Sequence, residues 1–342
     1  MRIAATLLLL LAALWAGGWF VAARVVERAA ETWFAEVAAD GVLAGYDHLA
    51  VEGFPLRLSL RLEEPRLVDP LTGNGWAAEG AEAVLALATP SRLRLRPAGA
   101  QTLWLDGQRL GLVAADLGAE LHLQGMQPRP TAISVTAAEV VLSGLPAATG
   151  LTADEPAPEG SWAITIARVA GQLGLVGAAP ALALDLDGLD PDTSDWPTGI
   201  APRPAGPIER LALSGRAEFD GPVEAGGRLV ALQVEMLRMV WGATELSAAG
   251  RVEIDTDGLP QGRITTTARE WRPLLALAVA TGAVTADLAP TWARVIETMQ
   301  EAGPEPARAT GALEVPLVFQ RGRISLGPLP LGRAPLLGPP GG

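Results

Sequence analysis

Residues 56–63 read "LRLSLRLE", a stretch in which every second residue is leucine and the residues between are arginine, serine or glutamate. Residues 92–96, "RLRLR", repeat this alternation. Successive side chains of a β-strand point to opposite faces of the sheet, so a period of two produces one apolar and one polar face. The two stretches therefore predict strands of a sheet with a leucine-rich face.

The same alternation continues through most of the chain after residue 46. Further strands are expected at 101–105, 109–114, 119–123, 132–142, 162–167, 172–176, 181–186, 208–219, 228–240, 245–255, 261–268, 311–319 and 322–326. Tight hairpin turns, in which glycine supplies the positive φ, are expected at Asp106-Gly107, Asp220-Gly221, Asp257-Gly258 and Arg321-Gly322. Residues 271–281 and 287–302 predict helices, each with a proline in its first turn.

The amino-terminal segment predicts a membrane anchor. Residues 3–23 carry no charge and would form a helix roughly 32 Å long, which matches the hydrocarbon core of a bilayer. The alternative is a signal peptide cleaved near Ala16-Gly17-Gly18, although the apolar run continues past that point. We expect an inner-membrane protein with a single span and its body in the periplasm.

Residues 24–41 predict an amphipathic continuation of the same helix. Its apolar stripe is formed by residues at helical spacing, namely Val26, Ala30, Trp33 and Val37. The predicted fold class is α+β and β-dominated: an N-terminal transmembrane helix followed by a long twisted antiparallel sheet with a few packed helices.

Two proline-rich stretches interrupt the β-rich body, at 152–160 and 190–207. The second separates a first β-rich part, 42–189, from a second β-rich part, 208–330, which contains both predicted helices. One continuous sheet and two domains are both compatible with this pattern. A tail of proline and glycine, 331–342, follows and predicts no regular structure.

Composition excludes several classes of function. The net charge of −12 argues against binding to nucleic acid, whose phosphates attract basic surfaces. The chain has no cysteine and two histidines, and all of its other basic residues are arginine. Thiolate, Schiff-base and Walker-lysine chemistry are therefore absent, and no cofactor is expected. No nucleophile motif is present, so we do not expect an enzyme.

The turn Gly53-Phe54-Pro55, followed by Arg57, is the best candidate for a ligand or structural motif. Glycine and proline commonly serve a folding role in turns, and the phenylalanine could plug a core. A second candidate is the acidic run that includes Asp185, Asp187 and Asp190. Calcium binds oxygen ligands of this type, but the spacing departs from a calcium-binding loop, so a solvated loop is the alternative. His48 and His122 are interpreted as structural residues.

Three segments resemble the bacterial family called domain of unknown function 2125. They are "GYDHLAVEGFPLRLSLRLEEPRLVDPLTGNGW" at 45–76, "MVWGATELSAAGRVEIDTDGLPQGRI" at 239–264 and "EVPLVFQRGRISLGPLPLGRAPLL" at 314–337. The resemblance adds Trp76 to the candidate motif and implies an alphaproteobacterial envelope protein without an assigned activity. The layout is also loosely similar to that of AsmA-like proteins, which are implicated in lipid handling.

These observations favour binding or transfer of a lipid-like ligand, with the membrane as a partner through the N-terminal helix. A structural or scaffolding envelope protein and a hydrolase are the alternatives. An apolar groove or a cavity of several hundred Å³ would favour the ligand. A sheet face filled by the helices 271–281 and 287–302 would favour the scaffold. A hydrolase would need a buried carboxylate pair or His48 in a cleft.

Overall fold

The computed structural model describes residues 2–105, 108–124, 130–145, 163–191, 196–197, 199–281, 284–303 and 310–337. Within these ranges, side chains are described from residue 14 onward, except at 145 and 224.

The helices agree with the sequence pattern. They are α1 Arg2–Ala39, α2 Arg272–Ala280 and α3 Ala289–Glu301. Helix α1 is uninterrupted, so the predicted anchor and the predicted amphipathic segment form one element. It ends where Gly41 adopts a φ of 92°, a left-handed conformation that costs glycine little.

Antiparallel β-strands make up most of the remaining described chain. They are β1 Leu43–Gly45, β2 His48–Glu52, β3 Arg57–Glu63, β4 Arg66–Val68, β5 Gly75–Ala86, β6 Arg92–Leu105, β7 Gln108–Leu123, β8 Pro130–Leu145, β9 Ala163–Gly174, β10 Ala181–Asp190, β11 Ile208–Phe219, β12 Leu229–Trp241, β13 Thr244–Ile254, β14 Pro260–Arg269, β15 Leu313–Gln320, β16 Arg323–Leu326 and β17 Leu329–Arg333.

The chain divides into two compact units, Met1–Ala163 and Ile164–Gly342. In unit 1, the long strand β5 is the centre of the pairing. One end of β5 pairs with β4 and the other end with β3, and its opposite side pairs with β6. Strands β7 and β8 follow in order, while β1 pairs with β4 and β2 with β3.

Unit 2 is an antiparallel meander in which each strand from β9 to β17 pairs with the next one along the chain. A β-dominated fold with long antiparallel pairing and few helices is therefore confirmed.

Helix α1 packs on unit 1 through a different residue from the one predicted. Trp33 is 47% exposed, whereas its neighbour Phe34 is 8% exposed and makes an edge-to-face contact with Tyr46 at 4.8 Å between ring centroids. The prediction that Trp33 lies on the buried stripe is therefore wrong. Neighbouring side chains of a helix point about 100° apart, so only one of the two can face the sheet. Phe34 is buried because it is the one that contacts Tyr46.

Helices α2 and α3 cover one face of the unit 2 sheet. Trp271 and Leu275 at the start of α2 pack with Trp292 and Ile296 of α3. Beneath them lie apolar residues of β13, β14 and β15, namely Leu246, Ala268, Leu313 and Val315. The sequence left open whether these helices fill a sheet face, and in unit 2 they cover part of one face, over β13 to β15.

The boundary between the units differs from the predicted one. We expected a break at 190–207, but β10 and β11, which flank this stretch, are hydrogen-bonded neighbours. The stretch is thus a connection within one hairpin, and the division falls at residues 163 and 164. The other proline-rich stretch, 152–160, lies outside the described residues.

The predicted irregular tail is also partly wrong. Strand β17 extends from Leu329 to Arg333 and pairs with β16. A proline or glycine is tolerated in a short strand at the end of a meander, because one side of such a strand need not donate hydrogen bonds.

Hairpin turns form at two of the predicted sites, Asp257-Gly258 and Arg321-Gly322. The tight turn predicted at Asp220-Gly221 is wrong, because residues 220–228 join β11 to β12 and include a short 3-10 helix, Val223–Ala225. Arg321 and Gly322 both have positive φ, 51° and 68°, as a tight two-residue hairpin requires. Gly258 has a φ of 78° in the turn between β13 and β14. Asp106-Gly107 lies outside the described residues.

The turn between β13 and β14 leads to a pH-dependent prediction. The backbone N–H of Leu259, the Gln261 side-chain amide and the N–H of Asp257 donate to the Asp255 carboxylate. These hydrogen bonds hold the pKa of Asp255 below its ordinary value. A lowered pKa in the folded state stabilises the fold above the ordinary pKa, and this stabilisation is lost as the pH falls through the folded value.

We therefore expect Asp255→Ala to speed hydrogen exchange of β13 and β14 at pH 7. The difference from the unchanged protein should persist down to about pH 4 and fade below it. Hydrogen exchange followed by mass spectrometry, with labelling rates corrected for pH, measures this effect. Asp257→Ala, which removes an exposed carboxylate from the same turn, is the control. An equal effect of both substitutions would contradict the prediction.

Candidate functional site

The β2–β3 turn, residues 53–57, has a backbone that requires glycine at its first position. Gly53 has a φ of 101°, and the N–H of Arg57 donates to its carbonyl at 3.1 Å. A Cβ at residue 53 would lie 2.5 Å from Cγ of Arg57 and 2.9 Å from its carbonyl oxygen. The Phe54-Pro55 peptide bond is cis. The left-handed conformation of Gly53 and the hydrogen bond from Arg57 close the turn, so the four residues Gly53, Phe54, Pro55 and Arg57 lie together.

Two tryptophans of helix α1 donate hydrogen bonds to this turn. Nε1 of Trp19 donates to the carbonyl of Arg57 at 2.9 Å, and Nε1 of Trp15 donates to the carbonyl of Pro55 at 3.1 Å. Residues four apart lie on the same face of a helix, so both indoles reach the same turn. The sequence pattern did not predict the contact of these tryptophans with the turn.

Aromatic rings complete the contact between helix and turn. Phe54 lies edge-on to Trp19 at 5.5 Å and stacks on Phe20 at 5.8 Å between ring centroids. Aromatic pairs of this geometry contribute about 0.5–1.5 kcal/mol each beyond burial of their area. The sequence suggested that Phe54 fills a core. In the structure Phe54 packs against α1 instead, and half of its surface remains exposed.

A small core lies beneath this contact. Trp19, Ala23 and Leu58 are buried, and Val51 and Leu85 of the sheet and Leu87 after β5 pack against them. Burying a side chain of the size of leucine contributes about 1.5–3 kcal/mol.

An apolar pocket with a volume of about 340 Å³ lies beside this core. Its lining consists of residues of α1 and one residue that follows β5, namely Leu14, Trp15, Gly18, Trp19, Ala22 and Leu87. The volume falls within the range of known small-molecule sites, about 300–1,000 Å³. The lining side chains are hydrocarbon or indole, so the pocket suits an apolar ligand.

The surface around the pocket is apolar and exposed. We call it the apolar ridge, and it consists of Leu14, Trp15, Phe20, Val21, Phe54 and Leu56. Leu56 is 71% exposed because β3 begins at Arg57, so this leucine lies in the turn and not on the apolar sheet face. The prediction that Leu56 continues the strand alternation is therefore wrong.

Trp76 lies far from the other candidate residues. It pairs with Leu67 and Leu103 near the start of β5, whereas Arg57 pairs with Ala86 at the end of the same strand. Ten residues of strand separate the two positions, a distance of about 33 Å. The structure thus groups four of the five motif residues and places Trp76 elsewhere.

The acidic residues proposed for calcium lie on strand β10, where each one faces its own arginine. Arg210 pairs with Asp185 at 2.6 Å, Arg168 with Asp187 at 3.5 Å and Arg203 with Asp190 at 2.6 Å. In the described part of the chain, no three histidine, aspartate or glutamate side chains are placed to hold a metal ion. Because arginines already neutralise these carboxylates, the calcium prediction finds no support there.

The two histidines occupy sheet positions. His48 is exposed at the start of β2, opposite Glu63. His122 lies on β7 with Nε2 3.6 Å from the Glu120 carboxylate, which also pairs with Arg92 and Arg94. The carboxylate is thus shared with two guanidinium groups.

Among residues whose side chains the structure describes, no helix is long and apolar enough to cross a membrane. Residues 3–13 of the predicted anchor, which contain its leucine run, are not among them.

The described elements define a protein of antiparallel β-sheet in which tryptophan indoles hold the N-terminal helix on the strands of unit 1. The chain belongs to the family described as an uncharacterized protein conserved in bacteria, domain of unknown function 2125, whose model matches residues 19–335. No curated protein and no solved structure matches the chain. The likeness to AsmA-like proteins is not shown by these comparisons and rests on layout alone.

Proposed function

We propose that this chain is a non-enzymatic, single-pass inner-membrane protein that binds the acyl chain of a lipid, with its β-rich body in the periplasm. The observation that carries the proposal is the apolar pocket of about 340 Å³ between α1 and the end of β5. A pocket of this volume with an apolar lining supports binding of an apolar ligand.

Membrane attachment is supported by helix α1 and its sequence. The uncharged residues 3–23 belong to one uninterrupted helix, Arg2–Ala39. Such a segment is long enough to cross a bilayer, and the distal tryptophans suit the interface between lipid and water.

The contacts of Trp15 support an anchor that remains on the mature protein. Cleavage near Ala16-Gly17-Gly18 would remove Leu14 and Trp15, and with them the hydrogen bond to Pro55 and part of the pocket wall. The intact mass of the protein purified from membranes tests this point, because a cleaved protein would lack about the first 18 residues.

The chemistry of the pocket suits a saturated chain. Each CH₂ group of a bound chain that is buried in the pocket contributes about 0.8 kcal/mol to binding. The lining offers few polar groups that would hold water in its place. Because the pocket is lined by residues 14–22 of the proposed anchor, a lipid enters it directly from the surrounding bilayer.

The scaffold hypothesis has support of its own in unit 2. There, the core between α2, α3 and strands β13 to β15 is filled by side chains such as Trp271 and Trp292. Unit 2 thus fits a structural role, and the ligand hypothesis depends on unit 1.

A pocket-filling substitution tests the proposed function. A Cβ at Gly18 would meet no atom within 4 Å, so Gly18→Leu is sterically allowed and places a side chain in the pocket. We expect the protein purified in mild detergent to retain lipid by native mass spectrometry, and Gly18→Leu to lower lipid occupancy. Excluding two CH₂ groups would reduce the affinity about tenfold.

Gly17→Leu is the matched control. A Cβ at Gly17 also meets no atom within 4 Å, but Gly17 does not line the pocket. Both substitutions raise helix propensity equally, so they differ only in filling the pocket. Absence of lipid from the unchanged protein, or equal loss from both variants, would reject the acyl-chain site.

A further inference from the structure

The exposed apolar side chains of the β2–β3 turn adjoin the apolar ridge of α1. Leu56 and Phe54 are exposed by 71% and 50%, and Phe54 stacks on Phe20, itself an exposed residue of the helix. The turn carries no charged residue between Glu52 and Arg57. The exposed surfaces of the helix and the turn therefore meet at Phe20 and Phe54, and the environment that surrounds the helix at this level also reaches the turn.

The level of this contact follows from the rise of the helix. Arg24 is the first charged residue after the apolar segment. Trp19 and Trp15, which bond to the turn, precede it by about 8 and 14 Å along the axis. If Arg24 lies at the phosphate groups, the tip of the turn lies within the outer half of a hydrocarbon core about 30 Å thick.

The backbone of the turn is suited to such an environment. Irregular backbone is tolerated at membrane depth only where protein groups satisfy its hydrogen bonds. The carbonyls of Pro55 and Arg57 accept from the two indoles. The carbonyl of Gly53 accepts from the N–H of Arg57, and that of Leu56 accepts from the N–H of Leu87 at 3.1 Å. These four carbonyls therefore do not depend on water.

A second exposed turn of unit 1 has the opposite character. Leu71 lies in the turn between β4 and β5 and is 92% exposed. Its own N–H and the hydroxyl of Thr72 donate to the Asp69 carboxylate, each at 2.8 Å. This turn is polar and lies at the other end of β5, so its exposed leucine is an isolated side chain in water.

We propose that the β2–β3 turn is a second membrane element, which inserts Phe54 and Leu56 into the acyl-chain region of the leaflet that holds the distal half of the apolar segment 3–23. Arg57 marks the end of the inserted part, and its long side chain reaches toward the lipid phosphates. The inference rests on the proposed membrane attachment of α1. It adds that unit 1 is held against the bilayer at two connected points, and that the pocket opens within the lipid.

The natural absence of cysteine allows a direct test in the full chain. Single cysteines replace three exposed residues: Leu56 in the turn, Val21 in α1 and Leu71 in the polar turn. Each is labelled with an environment-sensitive fluorophore and reconstituted into vesicles of phosphatidylcholine and phosphatidylglycerol. Lipids brominated in the acyl chains quench fluorophores inside the membrane, and iodide quenches those in water.

We expect brominated lipid to lower the emission from Leu56→Cys and Val21→Cys severalfold and to leave Leu71→Cys unchanged, with the reverse order for iodide. Quenching at residue 21 but not at 56 would overturn the inference and leave the anchor in place. Quenching at neither residue would reject both the anchor and the inserted turn. Shielding of residue 56 from iodide without quenching by brominated lipid would show that protein covers the turn, which also overturns the inference.

Discussion

Replacing Trp19 with alanine is expected to release helix α1 from the sheet of unit 1. Trp19 is 7% exposed, forms the centre of the small core with Ala23 and Leu58, and donates to the carbonyl of Arg57. Truncation of a buried tryptophan costs about 3–5 kcal/mol, because it removes buried area and leaves a cavity. This loss of free energy should weaken the packing of α1 against β2 and β3.

Hydrogen exchange of the β2–β3 hairpin, followed by mass spectrometry of the protein in detergent, measures this effect. We expect faster exchange at residues 48–63 and little change in unit 2, because the described contacts of Trp19 lie in unit 1. Trp19→Phe retains most of the volume and loses the N–H, so it should cost about 1 kcal/mol for the hydrogen bond.

Trp33→Ala is the matched control in the same helix. Trp33 is 47% exposed, so its removal should cost much less than that of Trp19. Similar exchange in the two alanine variants would mean that α1 is not held through Trp19, and would also remove the support for a connected anchor and turn.

Replacing Trp241 with alanine is expected to produce the corresponding effect in unit 2. Trp241 is fully buried and packs edge-to-face against Trp196 at 5.7 Å. Its Nε1 donates to the carbonyl of Gly206 at 3.1 Å, while Nε1 of Trp196 donates to the carbonyl of Ala201 at 2.8 Å. The loss should be about 3–5 kcal/mol, as for other buried tryptophans.

The described part of the connection between β10 and β11, residues 199–207, should exchange faster in Trp241→Ala, together with neighbouring parts of β11 and β12. Met236→Ala, on the same strand as Trp241 but 45% exposed, is the control and should exchange like the unchanged protein. Unaltered exchange at 199–207 in Trp241→Ala would contradict the role of this indole in holding the connection.

The two predictions share a physical basis. In both units, indole N–H groups donate to carbonyls of irregular, proline-containing segments: Trp15 and Trp19 to the β2–β3 turn, and Trp196 and Trp241 to the connection after β10. Irregular backbone leaves carbonyls outside the sheet ladders, so side-chain donors such as these indoles can accompany segments of this kind.

Part of the candidate site was predictable from sequence. Gly53, Phe54, Pro55 and Arg57 were selected as one motif, and the structure places them in one turn. Their partners Trp15 and Trp19 were not identified, because a contact across about 40 residues leaves no periodic signal. The i, i+4 spacing of the two tryptophans would have suggested a shared partner. Trp76 was grouped with the turn by resemblance, which carries no information about distance along a strand.

Local chemistry alone decided the nature of the elements. Alternating leucines predicted strands, and glycine in Asp257-Gly258 and Arg321-Gly322 predicted turns. The uncharged segment before Arg24, with the amphipathic residues after it, predicted one helix. Whether a segment forms a strand, a turn or a helix depends on residues close to one another in the sequence, so their spacing can be read directly. Tertiary contacts decided which face each element buries: Phe34 and not Trp33 in α1, and Leu56 in an exposed turn and not on the apolar sheet face. Such choices depend on strand register and on distant partners, whose energies no local pattern encodes.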